Sequence, residues 1–529
     1  MIRMNMNKLG TMVLGISLFA IIPFTSVAQK PNWQNLDLQT DSTFGISTEK
    51  AYKELLKGKK STPVVVGVLD GGVDILHEDL KSVLWVNKKE KAGNGKDDDK
   101  NGYIDDVHGW NFLSSVNYET LELTRLVRRD NARFAGKDSS TVSAAELPAF
   151  RAYQANKAEL EKELAEAKVG IQRFEAIKTA IDNVVKKIGK EKPTLEDFQQ
   201  FTPSDDMEAN VKRIMLQQLK NSTFEEFYNT QVLPGYDHFK SQIDYNLNID
   251  YNPRTVVGDD PNNAKERFYG NNDVAGPDAK HGSHVAGIIG ADRVNDLGIL
   301  GVADNVLIMG VRNVPNGDER DKDVANAIRY AVDNGAKVIN MSFGKSYSWD
   351  KKIVDDAVKY AVKKDVLLVH AAGNDNKNLE VESNYPNPQY EDGGVASSWI
   401  TVGASGWSND GTIKASFSNY GKTTVDVFAP GVNINSTVPG SKYAKFNGTS
   451  MASPVVAGLA ALIRSYYPKL KANEVKDIIM KSVVKVDQTV TIADDDDTTG
   501  KEVPFSDLCV TGGIVNAYNA LKLASEYKK

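Results

Sequence analysis

The run Pro63-Val64-Val65-Val66-Gly67-Val68-Leu69, ending at Asp70-Gly71-Gly72, decides the fold class. An unbroken apolar run of this length does not alternate between a dry and a wet face, so it reads as a strand buried on both sides. Such strands belong to parallel sheets covered by helices, and the acidic-glycine stretch after it is an exit turn. After about Asn272 the same texture returns. Val306–Val311, Lys337–Met341, Val366–Ala371, Trp399–Gly403 and Val425–Phe428 read as buried strands, with Asp321–Asp333 and Asp350–Lys363 as amphipathic helices between them. Strands alternating with helices predict an α/β fold around a mostly parallel, doubly wound sheet. In such sheets ligands bind beyond the carboxyl ends of the strands, so chemistry is sought there.

From about Leu113 to about Val256 the texture is charged helix. Leu160, Leu164, Ala167, Ile171, Phe174, Ile181, Val185 and Ile188 recur at helical spacing, with Lys178 breaking the seam and Gly189 as its stop. The seam wants partner helices, and the patterns near 194–203 and 205–231 are expected to supply them. Nothing in it asks for a cofactor.

The 529 residues carry 64 Lys+Arg against 70 Asp+Glu, a formal net charge of −6, and are 41% hydrophobic. That fraction builds a packed core and excludes wholesale disorder. The mildly acidic balance argues against nucleic acid as a partner, because phosphate binding needs clustered cations. With one cysteine, Cys509, no internal disulfide and no thiolate metal site can form. Arg3 and Lys8 precede an apolar run from Leu9 to Ile22, then Ser26-Val27-Ala28. This predicts a signal peptide over residues 1–28; a membrane anchor is disfavoured because the run is too short to span a bilayer. The remaining chain is expected to be exported, periplasmic or extracellular, without a membrane span, and stabilised by packing or metal ions.

Three segments carry chemistry. Val68-Leu69-Asp70-Gly71-Gly72-Val73-Asp74 puts an acid on a strand exit, which by itself is an ordinary turn former. His281-Gly282-Ser283-His284-Val285-Ala286-Gly287 opens a small-residue helix with a side chain that titrates near neutrality. Asn447-Gly448-Thr449-Ser450-Met451-Ala452-Ser453-Pro454 places a serine at a helix start, where a simple cap is the ordinary reading. Pro454 and the small residues around it ask instead for a closely approached backbone. The chain order Asp, His, Ser is one of the known orders of a hydrolytic triad.

These segments resemble the signature motifs of the subtilisin-like serine proteases. The resemblance covers most of Thr62–Phe112 and Asn272–Leu521, and extends to Val338-Ile339-Asn340-Met341-Ser342-Phe343-Gly344, Ala371-Ala372-Gly373-Asn374 and Gly512-Gly513-Ile514-Val515-Asn516-Ala517. It implies a three-layer fold with a mostly parallel sheet, the core formed by 29–112 and 257–529 and an all-α insertion at 113–256. It also implies an exported serine endopeptidase that needs no cofactor for catalysis, acts on protein or peptide substrates and is expected as a monomer. Ser450 would be the nucleophile, His281 the base and then the acid, Asp70 the group that holds the imidazole, and Asn374 an oxyanion donor. Ser342, Phe343 and Gly344 would pair with substrate backbone, while Ala372 and Gly373 would line the pocket for the residue before the cleaved bond. Asn384 stands where the family usually has a small pocket-floor residue, which leaves that preference open. His284 reads as structural. A secreted binding or scaffolding protein on a silent core is the alternative; an esterase fits less well, because Gly448-Thr449-Ser450-Met451-Ala452 lacks the second glycine of a nucleophile elbow.

Calcium is the expected cofactor, structural only. Asp97, Asp99, Asn101 and Asp105 put oxygen ligands at alternating positions around Gly102, like half of a calcium loop, with His108 where a closing glutamate would be. The other reading is a solvated acidic turn. By resemblance a second site would use Asn295, the carbonyls of Arg293, Leu297 and Ile299, and Asp79. The Asp494–Asp497 run reads as a solvated loop. The insertion would be a lid, an exosite or folding aid, or a spacer, since surface insertions cost little.

Overall fold

The computed structural model describes residues 29–494 and 497–527; the expected signal peptide lies outside them, as do Asp495 and Asp496 of the acidic run. Residues Asn32–Lys529 make one compact unit.

The core is a nine-stranded sheet. In chain order its strands are β1 (Val64–Asp70), β2 (Gly109–Asn111), β3 (Val306–Arg312), β4 (Val338–Met341), β5 (Leu367–Ala371), β6 (Trp399–Ser405) and β7 (Val427–Pro430). There follow the hairpin β8 (Ile434–Val438) and β9 (Lys442–Phe446), then β10 (Val484–Lys485), the hairpin β11 (Thr489–Asp494) and β12 (Asp497–Pro504), and β13 (Gly513–Ile514). The sheet order is β10-β13-β7-β6-β5-β4-β1-β3-β2, parallel throughout except where β10 meets β13. Strand β1 is flanked on both sides by parallel neighbours and is almost wholly buried, as its unbroken apolar run requires.

Alternate side chains feed two cores. Val66, Val68, Leu367 and Val369 join the helices Lys280–Gly290 and Thr449–Tyr466 on one face. Leu69, Ile339, Met341 and Leu368 join Asp321–Asp333 and Lys351–Lys363 on the other. The result is a three-layer α/β/α fold. The helix Thr449–Tyr466 packs across β1 and β4–β7 and is buried almost end to end, which is why its sequence carries no polar stripe.

Between β2 and the helix Lys280–Gly290 the chain is helical: Glu122–Phe134, Leu147–Ile188, Leu195–Gln200, Asp206–Gln218 and Leu233–Ser241 are the longer elements. The helix Leu147–Ile188 runs 42 residues and ends at Gly189 in the left-handed conformation. Two separate apolar clusters replace the single seam expected. Tyr153, Leu160 and Ala167 pack with Leu123, Val127 and Phe134, whereas Ile181 and Val184 pack with Phe198, Val211 and Met215.

Candidate active site

Strands β4, β1 and β5 deliver four residues to the carboxyl end of the sheet because they lie parallel and close together. Asp70 ends β1, Ser342 follows β4, and Gly373-Asn374 follow β5. His281 and Ser450 arrive on the first turns of the helices Lys280–Gly290 and Thr449–Tyr466. The His281 Nδ1 lies 2.7 Å from Asp70 Oδ1, which also accepts Gly71 N–H at 2.7 Å. Asp70 can only accept when ionised, so Nδ1 is assigned as N–H and the neutral ring keeps Nε2 as its acceptor. The Asp70 side chain is 3% exposed and that of His281 44%, so the acid is dry while the far edge of the ring meets the cleft. Burial pulls the His281 pKa down, but the Asp70 charge and hydrogen bond push it up more, and the net is a rise above the ordinary imidazole value. Gly282 permits this approach: a Cβ there would collide with the Gly72 carbonyl and sit 3.0 Å from the Asp70 Cβ.

Pro454 explains the setting of Ser450. It has no N–H, so the Ser450 carbonyl four residues earlier cannot receive its helical hydrogen bond. Ser342 Oγ donates to that carbonyl instead at 2.9 Å, and Ser450 Oγ returns a bond to the Ser342 carbonyl at 3.1 Å. The hydroxyl is thus turned toward Ser342 rather than His281; hydrogen bonds of this kind commonly tighten only when substrate is bound. Asn374 Oδ1 accepts from Thr449 N–H at 2.8 Å and Thr449 Oγ at 3.0 Å, which leaves its Nδ2 as a donor. A Cβ built on Gly448 would lie 3.5 Å from Ser450 N and 3.7 Å from Asn374 Nδ2. The space a side chain would occupy there is therefore bordered by two N–H donors.

A cleft of about 290 Å³ opens beside Ser450, lined among others by Ser342, Phe343, Gly344, Gly373, Asn374 and Asn384. The Phe343 carbonyl points away from it and accepts from His370 Nε2 at 2.8 Å; burial holds that imidazole down at about 4, hence neutral. Ser342 and Gly344 also line the cleft, and the Ser342 carbonyl accepts the Ser450 hydroxyl there. Ala372 is buried behind the wall, and Ala371 lines the cleft where the sequence pointed to Ala372. Asn384 Nδ2 ties the carbonyls of Ala371 (3.2 Å) and Ala372 (3.0 Å) together, while Asn419 Nδ2 takes the Ala372 carbonyl at 2.9 Å. Asn419 and Thr449 hold the site, yet neither was singled out from sequence; an isolated Asn in a loop gives no signal until its partners are known. His284 donates among the carbonyls of Ile434 and Ala444, stacks on Phe446 at 4.2 Å, and is held down to about 4 mainly by burial.

The acidic loop is rearranged relative to a simple calcium loop. Asp97 receives Asn101 N–H and Gly102 N–H, and Asp105 receives Asn94 N–H and Gly95 N–H. The carboxylates that converge are Glu90, Asp99 and Asp106, with one oxygen from each within 4.8 Å of the others. Glu90 Oε2 is buried without a partner, and burial raises Asp106 to about 6. A buried orphan oxygen and an acid reluctant to ionise fit a divalent cation. Asn101 Nδ2 donates to Asp106 at 3.0 Å, so it braces the group. At the second site Asp79 accepts from Asn295 Nδ2 at 2.8 Å, Tyr443 OH at 3.2 Å and Ile299 N–H at 3.3 Å. Asn295 Oδ1 is spent on Leu297 N–H, and the Arg293 guanidinium on Glu49. Asn295 and Ile299 thus meet at Asp79 as hydrogen-bond donors.

The fold sets an acid–imidazole pair and a serine beyond the carboxyl ends of the strands of one α/β/α sheet. A model of the subtilase family matches residues 61–501, and the chain belongs to that family. It is 46% identical over 187 residues to a thermophilic serine proteinase of Bacillus sp. strain AK1, covering 35% of this chain and 42% of that protein. It is 35% identical over 211 residues to subtilisin Savinase of Lederbergia lenta, covering 40% of this chain and 72% of that protein. A solved protease from Pseudoalteromonas arctica is 28% identical over 48% of this chain and 78% of its own, with a TM-score of 0.40, too low to bear on the fold. The chain spans about half the length of several longer relatives it matches.

Proposed function

We propose that this chain is an exported serine endopeptidase that hydrolyses peptide bonds through Asp70, His281 and Ser450 and an acyl-enzyme. The observation that carries the reading is the pair of N–H donors, Ser450 N and Asn374 Nδ2, around the space that Gly448 leaves empty, because a helix cap has no use for it. Ser450 Oγ turns from the Ser342 carbonyl to His281 Nε2, gives up its proton and attacks the substrate carbonyl carbon. The oxygen's developing charge enters the space beside Gly448, which both donors border. His281, now an imidazolium facing Asp70, passes the proton to the leaving amine; water then repeats the sequence to release the acid. The substrate strand lies along Ser342–Gly344, which line the cleft, with Gly373 and Asn384 beside the residue before the cleaved bond.

Export follows from Arg3, Lys8 and the Leu9–Ile22 run, and among the described residues no helix is long and apolar enough to cross a membrane. Residues 113–256 are read as an insertion in a core of 29–112 and 257–529, and the chain as a monomer. Calcium would be held by Glu90, Asp99 and Asp106, where it would bind the loop before β2 to the core. The test is labelling by an active-site serine phosphonate probe with calcium present, compared with Ser450→Ala, together with cleavage of a denatured protein. Labelling lost in Ser450→Ala supports the proposal. Folded wild-type protein that neither labels nor cleaves would establish the silent scaffold instead.

A further inference from the structure

The cleft ends away from Ser450 in a buried group of charges that does not balance. Lys345 reaches across its floor from the segment after β4 to the segment after β3. Its Nζ donates to the Glu319 carbonyl at 2.7 Å and pairs with Asp321 at 2.7 Å and Glu122 at 3.1 Å. Glu122 comes from the first helix of the 113–256 block and also pairs with Arg125; Glu119 pairs with Arg125 and, at 2.8 Å, with Arg320. Five carboxylates (Glu119, Glu122, Asp318, Glu319 and Asp321) thus face three cations, Arg125, Arg320 and Lys345. Arg128, nearby, donates to the carbonyls of Asn248 and Tyr251. Asp318 accepts the Glu122 N–H at 2.7 Å.

Among the described residues Asp318 and Glu319 are in no ion pair; Asp318 has the Glu122 N–H, while Glu319 faces the cleft. It is 2% exposed, lines the cleft, and its Oε1 is buried with no hydrogen-bond partner. Burial raises its pKa to about 8 against the pull of Lys345, with Asp318 raising it further. An acid in that condition lacks a cation. The other charged residues of the cleft are Lys345, already surrounded, and Asp375 and Lys377 on the loop after β5, which offset one another. Glu159 and Glu163 of the long helix add negative charge near Tyr347, and Glu163 near Asp318.

We infer that Glu319 is a specificity-determining residue that receives the ammonium or guanidinium of a lysine or arginine in the bound peptide. The inference rests on the reading of this cleft as a peptide site. Lys345 lies three residues beyond Ser342, about 10 Å along an extended chain at roughly 3.3 Å per residue. Glu319 meets this segment through Lys345 Nζ, so the cationic side chain is expected within about three residues of the one opposite Ser342. The substrate cation replaces the proton that Glu319 otherwise holds, and its charge is worth most in this dry setting.

Binding without turnover tests this separately from hydrolysis. Fluorescent octapeptides with one lysine walked through an alanine–leucine background, and matching peptides with norleucine, are titrated into full-length Ser450→Ala by anisotropy. The expected result is a lysine preference of about tenfold at one position, two to four residues from the cleaved bond as mapped with wild-type enzyme or, if that is inactive, from the position most sensitive to backbone N-methylation. In Ser450→Ala/Glu319→Gln the lysine-to-norleucine ratio at that position should fall to about one to three. No peptide binding, no position preferring lysine, or a ratio unmoved by a folded Glu319→Gln overturns the inference. Should Glu319→Gln not fold, Asp375→Asn decides: a preference that survives it supports Glu319, and one that disappears with it overturns the assignment.

Discussion

Adding one methyl group at Gly448 tests the oxyanion geometry most directly. In Gly448→Ala the new carbon sits 3.5 Å from Ser450 N and 3.7 Å from Asn374 Nδ2. An oxyanion held by both donors must come within about 2.7–3.1 Å of each, and one seated on the Gly448 side of the two nitrogens falls inside the methyl's van der Waals envelope. At least one donor is therefore lost, and one donor corresponds to about 10²–10³ in kcat, or ~2.7–4 kcal/mol. The backbone adds a separate effect. Gly448 has φ 154° and ψ 157°, a region essentially reserved for glycine, so alanine destabilises the fold by on the order of 1–3 kcal/mol. The two effects separate by assay. Thermal melting reads the strain, while kcat on a chromogenic peptide, measured well below the melting temperature, reads the chemistry. Asn374→Ala supplies the comparison. If both changes act on the same oxygen, the double variant loses much less than the product of the two single losses. A folded Gly448→Ala that retains more than about a tenth of wild-type kcat, or losses that multiply fully, would refute the reasoning.

Because His281 has a raised pKa, its imidazolium persists to higher pH and cannot accept the Ser450 proton there. The acid limb of kcat/KM is expected above the ordinary imidazole value of about 6.5, and Asp70→Asn should move it down while lowering kcat by about 10⁴; a wild-type limb below that value contradicts this. Ser342→Ala leaves the Ser450 carbonyl without its donor, and urea unfolding should register a loss of about 1–3 kcal/mol; an unchanged midpoint would show the carbonyl is satisfied otherwise. Removing calcium with a chelator should lower the melting temperature, by the equivalent of about 2.7 kcal/mol if the ion had been present at a hundredfold excess over Kd. That response should shrink in Glu90→Gln and persist in Asp97→Asn, and the reverse pattern would move the site to the Asp97 turn.

The sequence by itself determined the central strands of the sheet and the residues that end them. A run such as Val64–Leu69 has one physical reading, and helices beginning at His281 and Ser450 announce themselves by small residues and glycines that only close packing requires. It also determined that 113–256 is helical, because spacing at 3.6 residues is a local property. Only the tertiary structure decided how the distant pieces meet. The split of the long helix into two clusters depends on which partners return to it, and the small strands β2, β10 and β13 are too short to carry a pattern. The replacement of Asp97 and Asp105 by Glu90 and Asp106 around the candidate cation arises because backbone amides compete for the same carboxylates, and that competition is settled by turn geometry. Likewise Glu319, Lys345 and Glu122 are unremarkable charges in sequence. They become a site because three segments bury them together, and burial makes an unmatched carboxylate matter.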